Sequence, residues 1–140
     1  MCAVRVNPKP KGISKHSLEM IGARSYMRLM TTRTLLQLPF MKMHGLGNDF
    51  VVIDARGESF ELPQPLVQGI AHRQMGIGFD QLAVINAGSG DAHLTFYNAD
   101  GSTSAACGNA TRCIARYLMT ESGKTDLHLT TDRGDLFARD

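Results

Sequence analysis

The sequence predicts an α+β fold, and three observations support this class. Short apolar runs rich in β-branched residues recur beside Gly-rich turns, as expected of strands. The stretch after Cys107 repeats its apolar residues at intervals of three and four, as expected of a helix. The final segment, DLHLTTDRGDLFARD, predicts a hairpin that turns around Arg133-Gly134. Several short strands with few helices indicate the mixed class.

Before that hairpin, three further strands and one short helix are predicted in chain order. Each strand is an apolar run bounded by a Gly-containing turn, and together they cover residues 50–53, 82–85 and 92–98. Between the first two strands, Pro65 stands near the first turn of a helix whose apolar residues, Leu66, Val67 and Ile70, are spaced for one face.

The helix after Cys107 is the most distinct element in the sequence. Its apolar positions share one side of the helical wheel: Ala110, Cys113, Ile114, Tyr117 and Leu118. The triplet Cys107-Gly108-Asn109 then lies at the helix N-terminus, where free N–H groups and the helix dipole stabilise an anion. Such a position suits a reactive thiolate. A small buried cysteine without chemistry is an equally good interpretation from the helix alone.

The charge is distributed unevenly along the chain. Residues 1–40 contain seven of the 15 Lys and Arg residues and one acidic residue, Glu19, although the net charge of the chain is only +2. The remaining chain is mildly acidic, which argues against a nucleic-acid site there. We predict that residues 1–37 form a basic, disordered leader outside the domain. Two alternatives remain open for the leader, a transit peptide and an upstream start codon.

The other cysteines and the histidines do not predict a further chemical site. Three cysteines without a secretory signal argue against a disulfide framework. Cys107 and Cys113 are six residues apart, on different faces of the helix, and so cannot easily share a metal. We therefore interpret Cys113 as a core residue and expect no metal site.

Three polar residues stand at the ends of predicted strands beside turns: Asn48, Gln81 and Asn98. Side chains at such positions on different strands can converge on one cavity. Turn formation alone explains them equally well.

Three segments together resemble the N-terminal half of diaminopimelate epimerase: KMHGLGNDFVVID at 42–54, GIGFDQL at 76–82 and FYNADGSTSAACGNATRCIARYL at 96–118. The resemblance covers residues 38–140 and excludes the leader. It implies a mixed β-sheet curved around a central helix, repeated in two similar domains. It also implies a cytoplasmic enzyme that epimerises LL- to meso-diaminopimelate, for lysine and peptidoglycan synthesis, without a cofactor.

The resemblance assigns roles to individual residues. Cys107 matches the first of two catalytic cysteines, and the positions that match substrate-binding residues are Asn48, Gln81, Asn98, Gly108 and Asn109. The expected partner is a small amino acid, diaminopimelate, with no nucleic acid or membrane, and a homodimer is open. The second catalytic cysteine belongs to a half that the resemblance does not reach, so we expect residues 38–140 to be a domain truncated at its C-terminal end. Two alternatives stay open: a related two-cysteine racemase or isomerase, and a noncatalytic amino-acid-binding remnant.

Overall fold

The computed structural model describes residues 3–6, 39–57 and 61–140. These residues form eight strands and two helices in the order β1 (Ala3–Val6), β2 (Met41–Gly45), β3 (Asn48–Asp54), α1 (Gln64–Ala71), β4 (Gln81–Asn86), β5 (Ala92–Asn98), β6 (Thr103–Ser104), α2 (Gly108–Ser122), β7 (Asp126–Thr131) and β8 (Gly134–Arg139).

All eight strands belong to one mixed sheet. Its order is β1-β2-β3-β4-β5-β7-β8, and β6 pairs with β5 beside this path. The β3–β4 and β5–β7 pairs are parallel and the other pairs are antiparallel. The predicted α+β class with a mixed sheet is therefore confirmed.

The longer helix, α2, packs on one face of this sheet. Its buried residues include Ala110, Ile114 and Leu118, which join Phe50 and Phe96 from the strands in one apolar cluster. The helix ends at Gly123, whose positive φ of 73° lets its N–H donate to the carbonyl of Met119 at 2.8 Å. The sequence-based placement of a helix directly after Cys107 is confirmed.

The shorter helix, α1, covers the opposite face of the central strands. Val67 and Ile70 from α1 pack with Val51 and Leu82 in a second apolar cluster. Strands β3 and β4 are thus buried on both faces, and this burial explains their nearly continuous apolar sequences. The sheet accordingly has a helix on each face, whereas the resemblance implied only the central one. Neither helix among the described residues is long and apolar enough to span a membrane.

Three strands were not anticipated from the sequence, and the shortest of them is β6, which has only two residues. Strand β2, MKMHG, alternates between buried and more exposed residues. It is only five residues long, so this alternation is a weak signal in the sequence. Strand β1 falls within the segment predicted to be a disordered leader, yet Ala3–Val6 pair with β2 in antiparallel register. The prediction for the leader is therefore wrong at these four residues, and residues 1–2 and 7–38 lie outside the described part of the chain.

A carboxylate at the start of β3 collects the main ionic contacts of the α1 face. Asp49 accepts two hydrogen bonds from Arg73, at 2.9 and 3.1 Å, and one from Lys42 at 2.7 Å. Hydrogen bonding from Arg73, reinforced by Lys42 and opposed by partial burial, holds the pKa of Asp49 well below its ordinary value. The contacts join β2, β3 and the loop after α1.

Truncation of Ile114 to Ala should destabilise the domain strongly. Ile114 is fully buried between α2 and the sheet, so its removal leaves a cavity, and we expect a loss of about 3 kcal/mol in the free energy of unfolding. Urea denaturation followed by circular dichroism measures this loss. The matched control is Arg112→Ala on the exposed side of the same helix, which should change stability by less than about 0.5 kcal/mol. Equal effects of the two changes would contradict the packing of α2.

Replacement of Asp49 by Asn should remove part of the acid sensitivity of folding. A carboxylate whose pKa is lowered by folding stabilises the native state fully above its unfolded pKa, near 3.8, and this contribution disappears as the pH falls below that value. We expect wild type to exceed Asp49→Asn in stability at pH 7, with the difference shrinking between pH 4 and pH 2 as a rough range. Urea titrations at several pH values measure it, and a difference independent of pH would contradict this role.

Candidate functional site

Cys107 occupies the N-cap position of α2. Its backbone is extended, with φ −134° and ψ 103°, and its Sγ accepts a hydrogen bond from the N–H of Ala110 at 3.4 Å. The side chain is 7% exposed and lies at the rim of the apolar cluster under α2. Cys107 is a free thiol. The structure thus combines the two interpretations that the sequence left open, because the residue is buried and also stands at a helix N-terminus.

The next two residues present unused donors at the same terminus. The N–H groups of Gly108 and Asn109 donate to no residue in the described part of the chain. Gly108 is exposed, and a Cβ built on it would meet nothing within 4 Å, so the space beside this turn of the helix is open. Two free N–H groups at the positive end of a 15-residue helix suit a carboxylate.

Asn48, the first residue of β3, lies near this terminus. Side chains alternate along a strand, so Asn48 shares the α2 face with Phe50. Asn48 is also paired with Gly45 across the β2–β3 hairpin, and a Cβ on Gly45 would stand 3.1 Å from the Cβ of Asn109. The Oδ1 atom of Asn48 is buried and has no hydrogen-bond partner among the residues that the structure describes. This acceptor requires a donor, because an unsatisfied buried oxygen is costly.

Gln81 and Asn98 face each other across the β4–β5 pair. Their Cα atoms are register partners, and the Gln81 Nε2 lies 3.4 Å from the Asn98 Oδ1. Both residues share the α2 face, since they precede Ala83 and follow Phe96 at intervals of two. Asn98 is held from the other side, because its Nδ2 donates to the Ser102 Oγ at 3.0 Å.

Ser104 is a polar neighbour that the sequence did not indicate. It lies in β6, opposite Phe96, and its Oγ accepts from the Gln81 Nε2 at 3.4 Å. A serine in a segment rich in Ser and Thr carries no distinguishing signal, so only the pairing of β6 with β5 reveals the contact. Gly45 was likewise not predicted to take part in the site, although its missing side chain makes room for Asn109.

The polar strand residues predicted for the site, Asn48, Gln81 and Asn98, therefore lie at one edge of the sheet on the α2 face. Asn109 of the helix terminus approaches this edge at Gly45. β3 and β4 run parallel, and Gln81 of β4 lies opposite Phe50 of β3. Asn48 is therefore on the strand next to Gln81, two residues before the position directly opposite it. What this arrangement offers chemically is a free thiol, two N–H donors and an unpartnered carbonyl oxygen beside polar amides. Among the described residues, no group of three or more His, Cys, Asp or Glu side chains is placed to hold a metal ion.

Cys113 lies deeper in the core, with 1% of its surface exposed, as predicted for a core residue. It takes part in a disulfide bond, which corrects the expectation that this chain forms none. The number and spacing of cysteines in a sequence do not show which of them the fold brings close together, and a disulfide depends on that proximity. Cys113 is therefore not a second acid–base thiol for the site beside Cys107.

Two solved structures resemble this fold. A phenazine biosynthesis protein of the PhzF family from Enterococcus faecalis matches with a TM-score of 0.51 and 21% identity, over 67% of this chain and 34% of its own. A putative phenazine biosynthesis PhzC/PhzF protein from Clostridium difficile matches with a TM-score of 0.50 and 22% identity, over 65% and 33%. At these identities the likeness concerns the fold alone.

Sequence comparison is more specific. The chain is 50% identical over 101 residues to a diaminopimelate epimerase of Phenylobacterium zucineum, covering 71% of this chain and 36% of the relative. The corresponding enzyme of Acidiphilium cryptum is 48% identical over 97 residues, covering 69% and 35%. The chain thus spans about a third of the length of these curated relatives. A family model described as diaminopimelate epimerase matches residues 40–139, and this chain belongs to that family.

Proposed function

We propose that this chain supplies one acid–base cysteine and the carboxylate-binding helix terminus of a diaminopimelate epimerase. The substrate is a small amino acid, LL-diaminopimelate, and its conversion to the meso form serves lysine and peptidoglycan precursor synthesis in the cytoplasm. Residues 38–140 act as the N-terminal domain of this enzyme. The proposal rests on family membership together with the position of Cys107 at the N-terminus of α2.

The chemical step is removal of the proton from the substrate α-carbon. The thiolate of Cys107 accepts this proton on Sγ, and negative charge develops on the α-carbon and its carboxylate. The free N–H groups of Gly108 and Asn109 and the dipole of α2 then stabilise the developing charge. These groups are fixed by the fold before the substrate binds, so they supply the stabilisation without a pyridoxal or metal cofactor.

The Oδ1 of Asn48, which has no hydrogen-bond partner among the described residues, supports the binding of an amino acid at this helix terminus. Leaving such an oxygen buried and unsatisfied costs about 1–3 kcal/mol, so a ligand that donates a hydrogen bond there gains affinity. The α-ammonium group of an amino acid is such a donor. The ammonium group of an α-amino acid is attached to the carbon that bears the carboxylate, so a carboxylate bound at Gly108 and Asn109 keeps the ammonium group close to this helix terminus. Asn48 lies on the same side, because it pairs with Gly45 and Gly45 approaches Asn109. Acceptor and donors together fit both ends of an α-amino acid.

Inversion requires a second acid–base group on the opposite face of the α-carbon. Cys107 is the free cysteine among the described residues, so we assign to this chain the proton transfer on one face. A single thiol can remove the proton, exchange it with solvent and return it to the same face. That sequence gives isotope exchange with retention of configuration.

The chain should accordingly exchange the α-proton of LL-diaminopimelate with solvent and form no meso product. Incubation in D2O followed by proton NMR measures the loss of the α-proton signal, and chiral chromatography measures the meso isomer. Replacement of Cys107 by Ser should slow the exchange at least about 100-fold, because a hydroxyl is a far weaker base at neutral pH. An unchanged rate in Cys107→Ser would contradict the role of this thiol.

The other outcomes of this experiment identify the alternatives. Binding of diaminopimelate with no exchange above the Cys107→Ser background would indicate a noncatalytic amino-acid-binding domain. Formation of meso product by the chain alone would show that two copies pair and present Cys107 twice, as a homodimer. Exchange of another amino acid in preference to diaminopimelate would favour a related racemase.

Replacement of Gly108 by Ala should weaken ligand binding without loss of stability. The added methyl group meets no protein atom and favours the helical backbone, so the thermal midpoint should stay level or rise. The same methyl group projects into the space where the carboxylate is proposed to lie, and we expect the Kd for diaminopimelate to rise about tenfold. Calorimetric titration measures binding. The matched control is Gly57→Ala, another open position away from the site, and an equal Kd in both variants would contradict the proposed carboxylate position.

A further inference from the structure

We infer that Asp49 and Asp80, bridged by Arg73, are positioning residues that fix the positions of Asn48 and Gln81 relative to each other in the site. This inference rests on the proposed function, in which both amides bind the substrate. It concerns the α1 face of the sheet, and so residues that the proposed substrate does not touch. Each of the two carboxylates is the chain neighbour of one site amide.

The two aspartates are tied to each other through reciprocal hydrogen bonds. The N–H of Asp49 donates to the Oδ2 of Asp80 at 3.1 Å, and the N–H of Asp80 donates to the Oδ1 of Asp49 at 3.1 Å. The latter N–H also lies 2.9 Å from the backbone carbonyl oxygen of Asp49. Side-chain carboxylates thus continue the ladder at the point where the parallel β3–β4 pair begins.

Arg73 makes this pair of like charges stable. Its guanidinium contacts the Asp49 carboxylate through both terminal nitrogens and reaches the Asp80 Oδ1 at 2.7 Å. Lys42 of β2 adds a further positive charge on Asp49 and also donates to the carbonyl of Gly78. Arg73 therefore neutralises both carboxylates, and Lys42 adds a second cation at Asp49. The hydrogen bond from Lys42 also ties the loop that carries Gly78 to the sheet.

The register of the β3–β4 pair decides where the site amides point. The two strands are parallel and are joined through α1, so no tight hairpin turn sets their alignment. Because side chains alternate, a slip of one residue would turn Gln81 from the α2 face to the α1 face. In the middle of the strands, burial of the apolar residues on both faces opposes such a slip. At the start of the two strands, where Asn48 and Gln81 lie, the hydrogen bonds of the Asp49 and Asp80 carboxylates hold the register.

Asp49 and Asp80 act through the backbone, on the opposite side of the sheet from the thiol. Asp49 alternates with Asn48 and falls on the face of Val51, while Asp80 falls on the face of Leu82. Neither carboxylate can reach a ligand bound at the N-terminus of α2 without crossing the sheet. Loss of a carboxylate should therefore alter the arrangement of the site while the core remains packed.

The test compares Asp80→Asn and Arg73→Gln with wild type in the 140-residue chain. The first readout needs no ligand: side-chain amide signals of Asn48 and Gln81, and hydrogen exchange at the Asp49 N–H, which donates to the Asp80 carboxylate, followed by NMR. We expect both amide signals to shift and exchange at the Asp49 N–H to accelerate at least about tenfold. Arg73→Lys, which retains the charge but not the two-pronged contact, should restore part of the wild-type behaviour.

The second readout is the Kd for diaminopimelate, which should rise about tenfold in Asp80→Asn and in Arg73→Gln. The matched control is Asp126→Asn, which removes an exposed ion pair with Arg139 on β7 and β8 and should leave the site signals and Kd unchanged. An effect of Asp126→Asn equal to that of Asp80→Asn would show a general loss of stability and overturn the inference.

The two readouts separate this inference from the proposed function. If wild type binds no diaminopimelate but the amide signals and exchange rates respond as expected, the positioning role stands and the proposed substrate is wrong. If wild type binds diaminopimelate and the signals of Asn48 and Gln81 stay fixed in both variants, the positioning role is wrong. Unchanged exchange at the Asp49 N–H would overturn it in either case.

Discussion

The packing of α2 against the sheet is the constraint on which the site depends. The helix can bring free N–H groups to bear on a ligand only if its N-terminus is held beside the strands that carry the polar residues. Buried contacts of Ile114 and Leu118 fix the helix along its length. At its first turn, the missing side chain of Gly45 lets Asn109 approach β2 closely. Core packing therefore also sets the position of Cys107 and its neighbours.

The two faces of the sheet have separate tasks. The α2 face carries the thiol, the free backbone donors and the Asn48 oxygen at the N-terminal end of α2, while its ion pairs of Arg56 with Asp54 and Glu121 lie at the other end of the helix. On the α1 face, Arg73 and Lys42 lower the pKa of Asp49. Strong ion pairs are thus kept away from the place where a carboxylate is proposed to bind, while the alternation of side chains along β3 still couples the two faces.

Local sequence patterns predicted the elements that have strong periodicity. Helix α2, the hairpin around Gly134 and the strands at the centre of the sheet were all anticipated, since each depends on neighbouring residues. Strands β1, β2 and β6 were not, because they are short and take their structure from pairing with distant partners. The role of α1 as cover for a second face also became visible only once β3 and β4 were seen together.

For the site, the sequence by itself determined the residue types and the position of Cys107 at the start of a helix, because helix periodicity and termini are set within a few residues. The three motifs also determined the family. Only the tertiary structure decided that Asn48 pairs with Gly45, which approaches the helix terminus at Asn109, and that Gln81 lies opposite Asn98. It also decided that the buried Asn48 oxygen has no partner among the described residues. These facts depend on strand order and register, and a parallel pair joined through a helix leaves both open in the sequence, because no tight turn fixes which residues face each other.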